Sequence, residues 1–393
     1  MVYLIIIVTL LILVLRYDIN GKTKYRDECY SIMLIIFILI SGLRWRLMVD
    51  TPNYIERFYY GTPTLDNFSF LDYPIGKDPL YTLINSIVKT YGGRFYMVQL
   101  IEASFVNILV FKFIKRYSSY IFTCLFFYSI TYYLSYSMET MRASFSIALS
   151  FYAYDYILDK KWVKGYILLI IGLMFHAQTI ILFFLPMFFF LRLNKKGIVV
   201  LVLAFFLGFV LNTSLGEYVE LFEFSDSVDK KVSVYAESEA FGGVRGGLIR
   251  FLHAKLPSLT YPLFSLLYLK MKMPDNKLLR FEPFVMLGVA FAFVRINFEI
   301  AYRFVDHFGL FFILFYSEAF MGIIHKAKSV DVKVACIRAI VFFLPFFTLV
   351  GISRYSRLDT FYPYSSVIDK KIDSKREIRY LKGDRPPADF NEY

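Results

Sequence analysis

The feature that most constrains this chain is a succession of apolar blocks, each about as long as a bilayer is thick, parted by short stretches rich in Lys and Arg. A hydrocarbon core of roughly 30 Å is spanned by about 20 apolar residues in a helix. No water reaches that layer, so each backbone amide must be paired inside its own segment. Composition agrees: 58% of the 393 residues are hydrophobic and 19% charged, where soluble domains carry about 25% charged residues. With 44 Phe and 32 Tyr, no long stretch is polar enough to remain disordered. The expected fold class is all-α, a polytopic transmembrane helical bundle of about twelve helices. They are expected at 2–15, 29–43, 95–111, 118–136, 140–158, 162–175, 177–191, 198–213, 247–269, 281–297, 301–323 and 334–351. Trp162 to Leu191 is read as two short helices meeting near His176 and Gln178, because a single helix of about 30 residues would run ~45 Å.

Charge sets the topology. Loops at 16–28, 112–117, 159–164, 192–197, 270–280 and 325–333 hold 20 Lys and Arg in 51 residues. Those at 44–94, 137–142, 176–178, 214–246 and 298–300 hold 10 in 96. The positive-inside rule places the first set in the cytoplasm and the second outside, with both termini. Residues 1–351 then form a transmembrane domain with long external loops at 44–94 and 214–246, and 352–393 form a polar C-terminal tail. The net charge of +12 lies largely between apolar blocks, so the lipid bilayer is the expected partner and nucleic acid is not. Cys29, Cys124 and Cys336 are scattered without CxxC or Cys/His spacing; no disulfide framework, metal or cofactor is expected. The N-terminal block lacks a basic flank and a cleavage motif, and reads as an uncleaved first span.

The first long loop opens with Gly42-Leu43-Arg44-Trp45-Arg46 and continues through Asp50 to Tyr54. Further on, Asp78-Pro79-Leu80-Tyr81 begins a pattern with Leu80, Leu83, Ile84, Ile87, Val88 and Tyr91 on one helical face, stopped by Gly92-Gly93. Twelve residues are too few to span, so an interfacial helix at the outer leaflet is expected. The second loop, acidic between Glu217 and Glu239 and Gly-rich at its end, reads equally as a rim over a site or a solvated linker.

Ionisable residues at membrane depth cost about 2.5–3.5 kcal/mol on insertion scales and mark function by default. Arg44, Arg46, Glu139, Arg142, His176, Arg250, His253, Arg295, Glu299, Arg303, Asp306 and His307 all fall at the expected outer ends of helices, which points to a shared outward-facing cationic cavity. Each has a plainer reading. Arg44 and Arg46 could snorkel to headgroups, Glu139 could pair with Arg142 and Glu299 with Arg303, and His176 could simply end a helix. Clustered arginines suit a diphosphate, since each guanidinium bridges two phosphate oxygens. No GxxxxGK[ST] loop is present, which argues against a nucleotide-driven pump.

Taken together, Gly42-Leu43-Arg44 through Asp50 and Tyr54, Asp78-Pro79-Leu80-Tyr81, Arg142, Phe175-His176, Arg303 and Tyr362-Pro363-Tyr364 resemble the ordered motifs of EpsG-family membrane proteins. The family is similar to Wzy-type polymerases of capsule, exopolysaccharide and O-antigen. Position 78 is Asp where that pattern more often has Glu. The resemblance implies a metal-independent glycosyltransferase on the outer face of the bacterial inner membrane, polymerising undecaprenyl-diphosphate-linked repeat units. A chain-length-regulating co-polymerase is a partner that the resemblance leaves open. In this reading Arg142, Arg295 and Arg303 hold the donor diphosphate with Arg44 or Arg46, and Tyr54, Asp78, Tyr81, Arg250 and Glu299 line the substrate site. His176 or Asp50 takes the acceptor proton, and the sequence does not separate them. The alternatives are a flippase for the same lipid-linked glycan and an O-acyltransferase using His176 or His253.

Overall fold

The computed structural model of the chain describes residues 2–219, 256–296, 298, 301–326, 334 and 360–370. Among these there is no strand, and an isolated antiparallel bridge joins Arg44 and Ser366. The chain divides into two units, Met1–Phe183 with Lys328–Tyr393, and Phe184–Ala327.

In the first unit the helices are α1 (Val2–Leu13, extended by a wider π-helical turn Val14–Ile19), α2 (Arg26–Gly42), α3 (Thr51–Glu56, continued by a π-helical turn Arg57–Gly61) and α4 (Pro79–Thr90). These are followed by α5 (Phe95–Tyr117), α6 (Ile121–Thr131), α7 (Met141–Leu158) and α8 (Trp162–Phe175). A 3-10 run, Ala177–Phe188, follows α8. Val2–Ile19, Phe95–Tyr117 and, in the second unit, Gly309–Lys326 are long and apolar enough to cross a membrane; Ile121–Thr131, Trp162–Phe175 and Ala177–Phe188 are shorter apolar helices.

Close approach of α2 and α5 requires Gly42, where a Cβ would stand 2.9 Å from Leu100 Cα. Their packing adds Tyr30, whose hydroxyl donates to the Phe111 carbonyl at 2.8 Å. Asp18 accepts from the Thr123 amide at 2.7 Å and its hydroxyl at 2.8 Å, placing a carboxylate at the positive end of α6. At this end of the unit Arg26 reaches the Ser119 carbonyl at 3.0 Å, Lys115 pairs with Asp27 at 3.0 Å and Arg116 with Asp155 at 3.2 Å.

At the opposite end the strap leaving α2 is tied to the tail. Trp45 N donates to Ser365 O (2.9 Å), Met48 N to Thr360 O (2.7 Å) and Val367 N to Leu43 O (2.9 Å). Tyr3 meets the Phe361 and Tyr364 rings edge-on at 6.2 and 6.0 Å. The amino terminus, the first long loop and the described part of the tail therefore share one end of this unit.

The second unit contains α9 (Lys195–Val219), α10 (Leu256–Lys272), α11 (Glu282–Val294), α12 (Tyr302–Asp306) and α13 (Gly309–Lys326). Glu282, in the first turn of α11, accepts from Leu193 N and Lys270 Nζ, each at 2.7 Å. Gly208 lets α9 lie directly against the Val294 backbone.

Some boundaries differ from expectation. The basic stretch 112–117, a loop by its charge, completes α5, because Lys and Arg are good helix formers that suit a helix C-terminus. Charge there does not mark the helix end. The expected helix 301–323 is broken into α12 and α13. The expected helix 334–351 lies outside the described residues apart from Val334, as do the greater part of the loop 214–246 and the start of the expected helix 247–269.

Candidate functional site

Asp78 is the centre of a charged cluster in the first unit, with Arg57, Arg142 and His176 around it. It precedes Pro79, which starts α4 with the fixed backbone angle a first turn favours. Its own φ of 54° is left-handed, which turns the carboxylate away from the helix amides; no side-chain cap bond forms. The carboxylate instead lies 4% exposed beneath three cationic or ionisable groups. Arg142 Nη1, from the first turn of α7, donates to Oδ2. Arg57 Nη1 reaches the same oxygen at 3.4 Å, while its Nη2 donates to Lys77 O at 2.8 Å and Thr82 Oγ1 at 2.9 Å. His176 Nδ1 stands 3.7 Å from Oδ1, a contact just longer than a hydrogen bond.

His176 is placed by the break between α8 and the 3-10 run, where its φ and ψ of −156° and 122° leave the helix. Its carbonyl accepts from the Thr179 hydroxyl at 2.7 Å. Thr179 also bonds the Ser146 hydroxyl, one turn along α7 from Arg142 and on the same face. The ring Nε2 lies 3.1 Å from Gln178 Oε1. Phe145 and Phe175 stack at 4.4 Å beneath this junction, so α7 and α8 hold Arg142 and His176 on a packed apolar base.

Aromatic rings form the wall. The Arg142 guanidinium lies 5.6 Å from the Tyr54 ring centre and that of Arg57 5.9 Å from Tyr81, and the two rings are 5.8 Å apart. Burial pushes the Tyr54 and Tyr81 hydroxyls up, keeping both neutral. Burial alone would also raise the Asp78 carboxyl. The facing His176 ring and the Arg142 charge outweigh it and hold the group below the usual carboxylate range. The cluster is thus an ionised carboxylate under a partly exposed cationic rim, able to orient an imidazole and to meet an anion.

Five residues expected at a site, Tyr54, Asp78, Tyr81, Arg142 and His176, are brought together. Arg57 was not anticipated; it lies three positions after Tyr54 on one helical face, a spacing that only a helix inside the loop would reveal. Asp50 precedes α3 and its carbonyl accepts from Tyr54 N at 3.2 Å. Arg44, expected at a headgroup or a ligand, is fully buried, 3.8 Å from Glu102 Oε2 in the body of α5. It does not snorkel, because α5 offers it a buried carboxylate. Arg46, 8% exposed, lies over the Trp45 ring at 5.1 Å. Arg142 contacts Asp78, 64 positions away. In the second unit Arg295 and Arg303 each stand 5.8 Å from the Tyr302 ring centre. Arg250, His253 and Glu299 lie outside the described residues.

The sequence model of the EpsG family matches residues 28–366, a span that includes the strap, Asp78, Arg142 and His176. The chain belongs to the EpsG family. This is a Wzy-like polymerase family, and membership together with the apolar helices makes the chain a membrane protein whose family role is that of a polysaccharide polymerase. No curated protein and no solved structure matches it.

Proposed function

We propose that this EpsG-family chain is an integral glycosyltransferase of the bacterial inner membrane that polymerises undecaprenyl-diphosphate-linked repeat units into surface polysaccharide, its site facing the periplasm or exterior. The observation that carries the reading is the convergence of Asp78, Arg142 and His176 from a loop, a helix start and a helix break. A hydroxyl of the acceptor sugar attacks the anomeric carbon of the donor glycan. The new C–O bond forms as the bond to the diphosphate oxygen breaks, and the electron pair leaves with undecaprenyl diphosphate. His176 takes the hydroxyl proton, after which each ring nitrogen carries a hydrogen, one facing Asp78 Oδ1 and one facing Gln178 Oε1. Asp78 orients and stabilises that imidazolium, the task of a buried carboxylate beside a catalytic histidine. Arg142 and Arg57 face the charge that builds on the leaving diphosphate, so arginines serve where other transferases use a metal. Asp50 remains the second choice of base.

Two further features support the orientation. The amino terminus, the first long loop and the described part of the tail share one end of the first unit, and the basic stretches 16–28 and 112–117, which the positive-inside rule assigns to the cytoplasm, meet at the other. The proposed bundle of about twelve helices rests on the same pattern.

The test is a gel of surface polysaccharide from a deletion strain complemented with wild type, Arg142→Ala or His176→Ala, at equal membrane abundance. Wild type restores a ladder and both variants leave single repeat units. A full ladder from both variants refutes the site. Loss of all surface glycan with lipid-linked units held inside the cell would instead identify a flippase.

A further inference from the structure

In the second unit, helices α9, α10 and α11 enclose an open groove of about 860 Å³, a size within the ~300–1,000 Å³ of small-molecule sites. Every lining residue is apolar, among them Leu193, Ile198, Val202, Phe205, Phe264 and Phe293. Ile198, Val202 and Phe264 are each about half exposed, so the described residues leave the groove open. None of its residues belongs to the Asp78 cluster.

One end of the groove is basic. The chain enters α9 through Arg192-Leu193-Asn194-Lys195-Lys196, and Leu193 is itself part of the lining. Lys270, in the last turn of α10, donates to Leu193 O at 3.2 Å and to Glu282 Oε1 at 2.7 Å. Arg192 Nη1 reaches Glu282 Oε2 at 3.5 Å. Two cations thus share one carboxylate and keep a net positive charge, with the Arg192 and Lys270 side chains still 41% and 33% exposed. Lys195 and Lys196, both exposed, add two more charges at the start of α9. The first turns of α9 and α11 and the last turn of α10 therefore bring their charges together, and the apolar lining leads away from them.

The depth of the groove matches one leaflet. Phe205 lies ten positions beyond Lys195 on α9, and Phe293 eleven beyond Glu282 on α11, a rise of about 15–17 Å at 1.5 Å per residue. Half of a ~30 Å hydrocarbon core is about 15 Å. The stretches 192–197 and 270–280 are among those that the positive-inside rule assigns to the cytoplasm.

We propose that this groove binds an anionic phospholipid of the cytoplasmic leaflet, its acyl chains along α9 and α10 and its phosphate against Arg192, Lys195 and Lys196. Basic pockets between membrane helices on the cytoplasmic side suit acidic headgroups. A zwitterionic lipid would fill the apolar part equally well and gain little from the net charge at the mouth. The inference rests on the chain being a membrane protein and not on the polymerase reading.

The experiment uses the full-length protein, delipidated in a non-ionic detergent and given equal amounts of dioleoyl phosphatidylglycerol and dioleoyl phosphatidylcholine. Native mass spectrometry counts the lipid that stays bound. One variant combines Lys195→Gln with Lys196→Gln, which removes charge and nearly keeps length. The other, Val202→Trp, fills the groove from a half-exposed position, and Leu267→Trp replaces it should it fail to fold. Ligand-free melting temperatures confirm folding. Wild type is expected to prefer phosphatidylglycerol by about tenfold or more, and the double lysine variant by about threefold or less. The groove-filled variant should lose the bound lipid. Equal retention of both lipids by wild type, an unchanged preference in the lysine variant, or unchanged binding in a folded groove-filled variant overturns the proposal. So does displacement of phosphatidylglycerol by an equal amount of undecaprenyl phosphate, which would give the groove to a lipid-linked substrate. A wild-type dimer that Val202→Trp converts to monomer would give it instead to a second copy of the chain, and overturns the proposal as well. Because the readout is lipid retention, it stands or falls separately from the polysaccharide ladder.

Discussion

Replacing Asp78 by Asn tests whether a buried carboxylate stabilises a charged His176 during proton transfer. The substitution keeps shape and one acceptor oxygen, and removes only charge. Asp78 Oδ1 is 3.7 Å from His176 Nδ1, with side-chain exposures of 4% and 18%. Two unit charges at about 4 Å in an effective dielectric of ~20 attract by about 4 kcal/mol. Partial exposure of the ring to solvent reduces this to about 2 kcal/mol as a lower figure. Since each 1.36 kcal/mol is tenfold in rate, the expected loss lies between about 30-fold and 1,000-fold. The assay is polymerisation of lipid-linked repeat units by the solubilised protein, resolving kcat from KM. The loss is expected in kcat, with Asp78→Glu retaining more activity than Asp78→Asn. An Asp78→Asn enzyme within about threefold of wild type at equal folded concentration would sink the imidazolium argument.

The same carboxyl predicts a pH effect on stability. Its folded value is held below the ordinary one, so the stability it contributes is fully present above about pH 4 and drains away as pH falls through the folded value. Wild-type melting temperature should drop on acidification below that point, and the Asp78→Asn protein should show a flatter profile there. Gly42→Ala, by driving a Cβ to 2.9 Å from Leu100 Cα, should cost about 1–3 kcal/mol and lower the melting temperature in detergent. Asp18→Ala removes two bonds to Thr123 at the start of α6 and should cost about 0.5–2 kcal/mol; Asp18→Asn, which keeps an acceptor, should recover part of it.

Periodicity made much of the fold legible. The spacing of Leu80, Leu83, Ile84, Ile87 and Val88 foretells α4, found at Pro79–Thr90, and the length limit on a membrane helix foretells the break at His176. Pairings across the sequence were not legible. Helical spacing offers Glu139 as one possible partner for Arg142, because a sequence displays only local neighbours; the loop that delivers Asp78 lies 64 positions earlier. Glu102 is an ionisable group inside an apolar block, the same signal that singles out Arg44, but nothing in the sequence pairs the two. The short helix carrying Tyr54 and Arg57 was hidden because six residues and a π-helical turn show too few periods to stand out. The tail read as polar and separate, yet its hydrogen bonds to the strap use backbone groups, which composition does not reveal.

Asp78 also shows how this fold gives up stability in exchange for a charge held in place. An aspartate just before a helix-starting proline is well suited to cap that helix, a contribution of about 1 kcal/mol. Here the left-handed φ of 54° forgoes the cap, and a non-glycine residue in that region costs roughly 1–3 kcal/mol more. The side-chain contacts with Arg142, Arg57 and His176 offset the loss, and these form the proposed site. Asp78→Gly separates the two terms: it relaxes the backbone as glycine can while deleting the carboxylate. If the conformation exists to position charge, Asp78→Gly should melt closer to wild type than Asp78→Ala does, because alanine keeps the strain, while both lose polymerisation equally. Retention of the ladder by Asp78→Gly would show that the backbone turn, and not the carboxylate, is what the site requires.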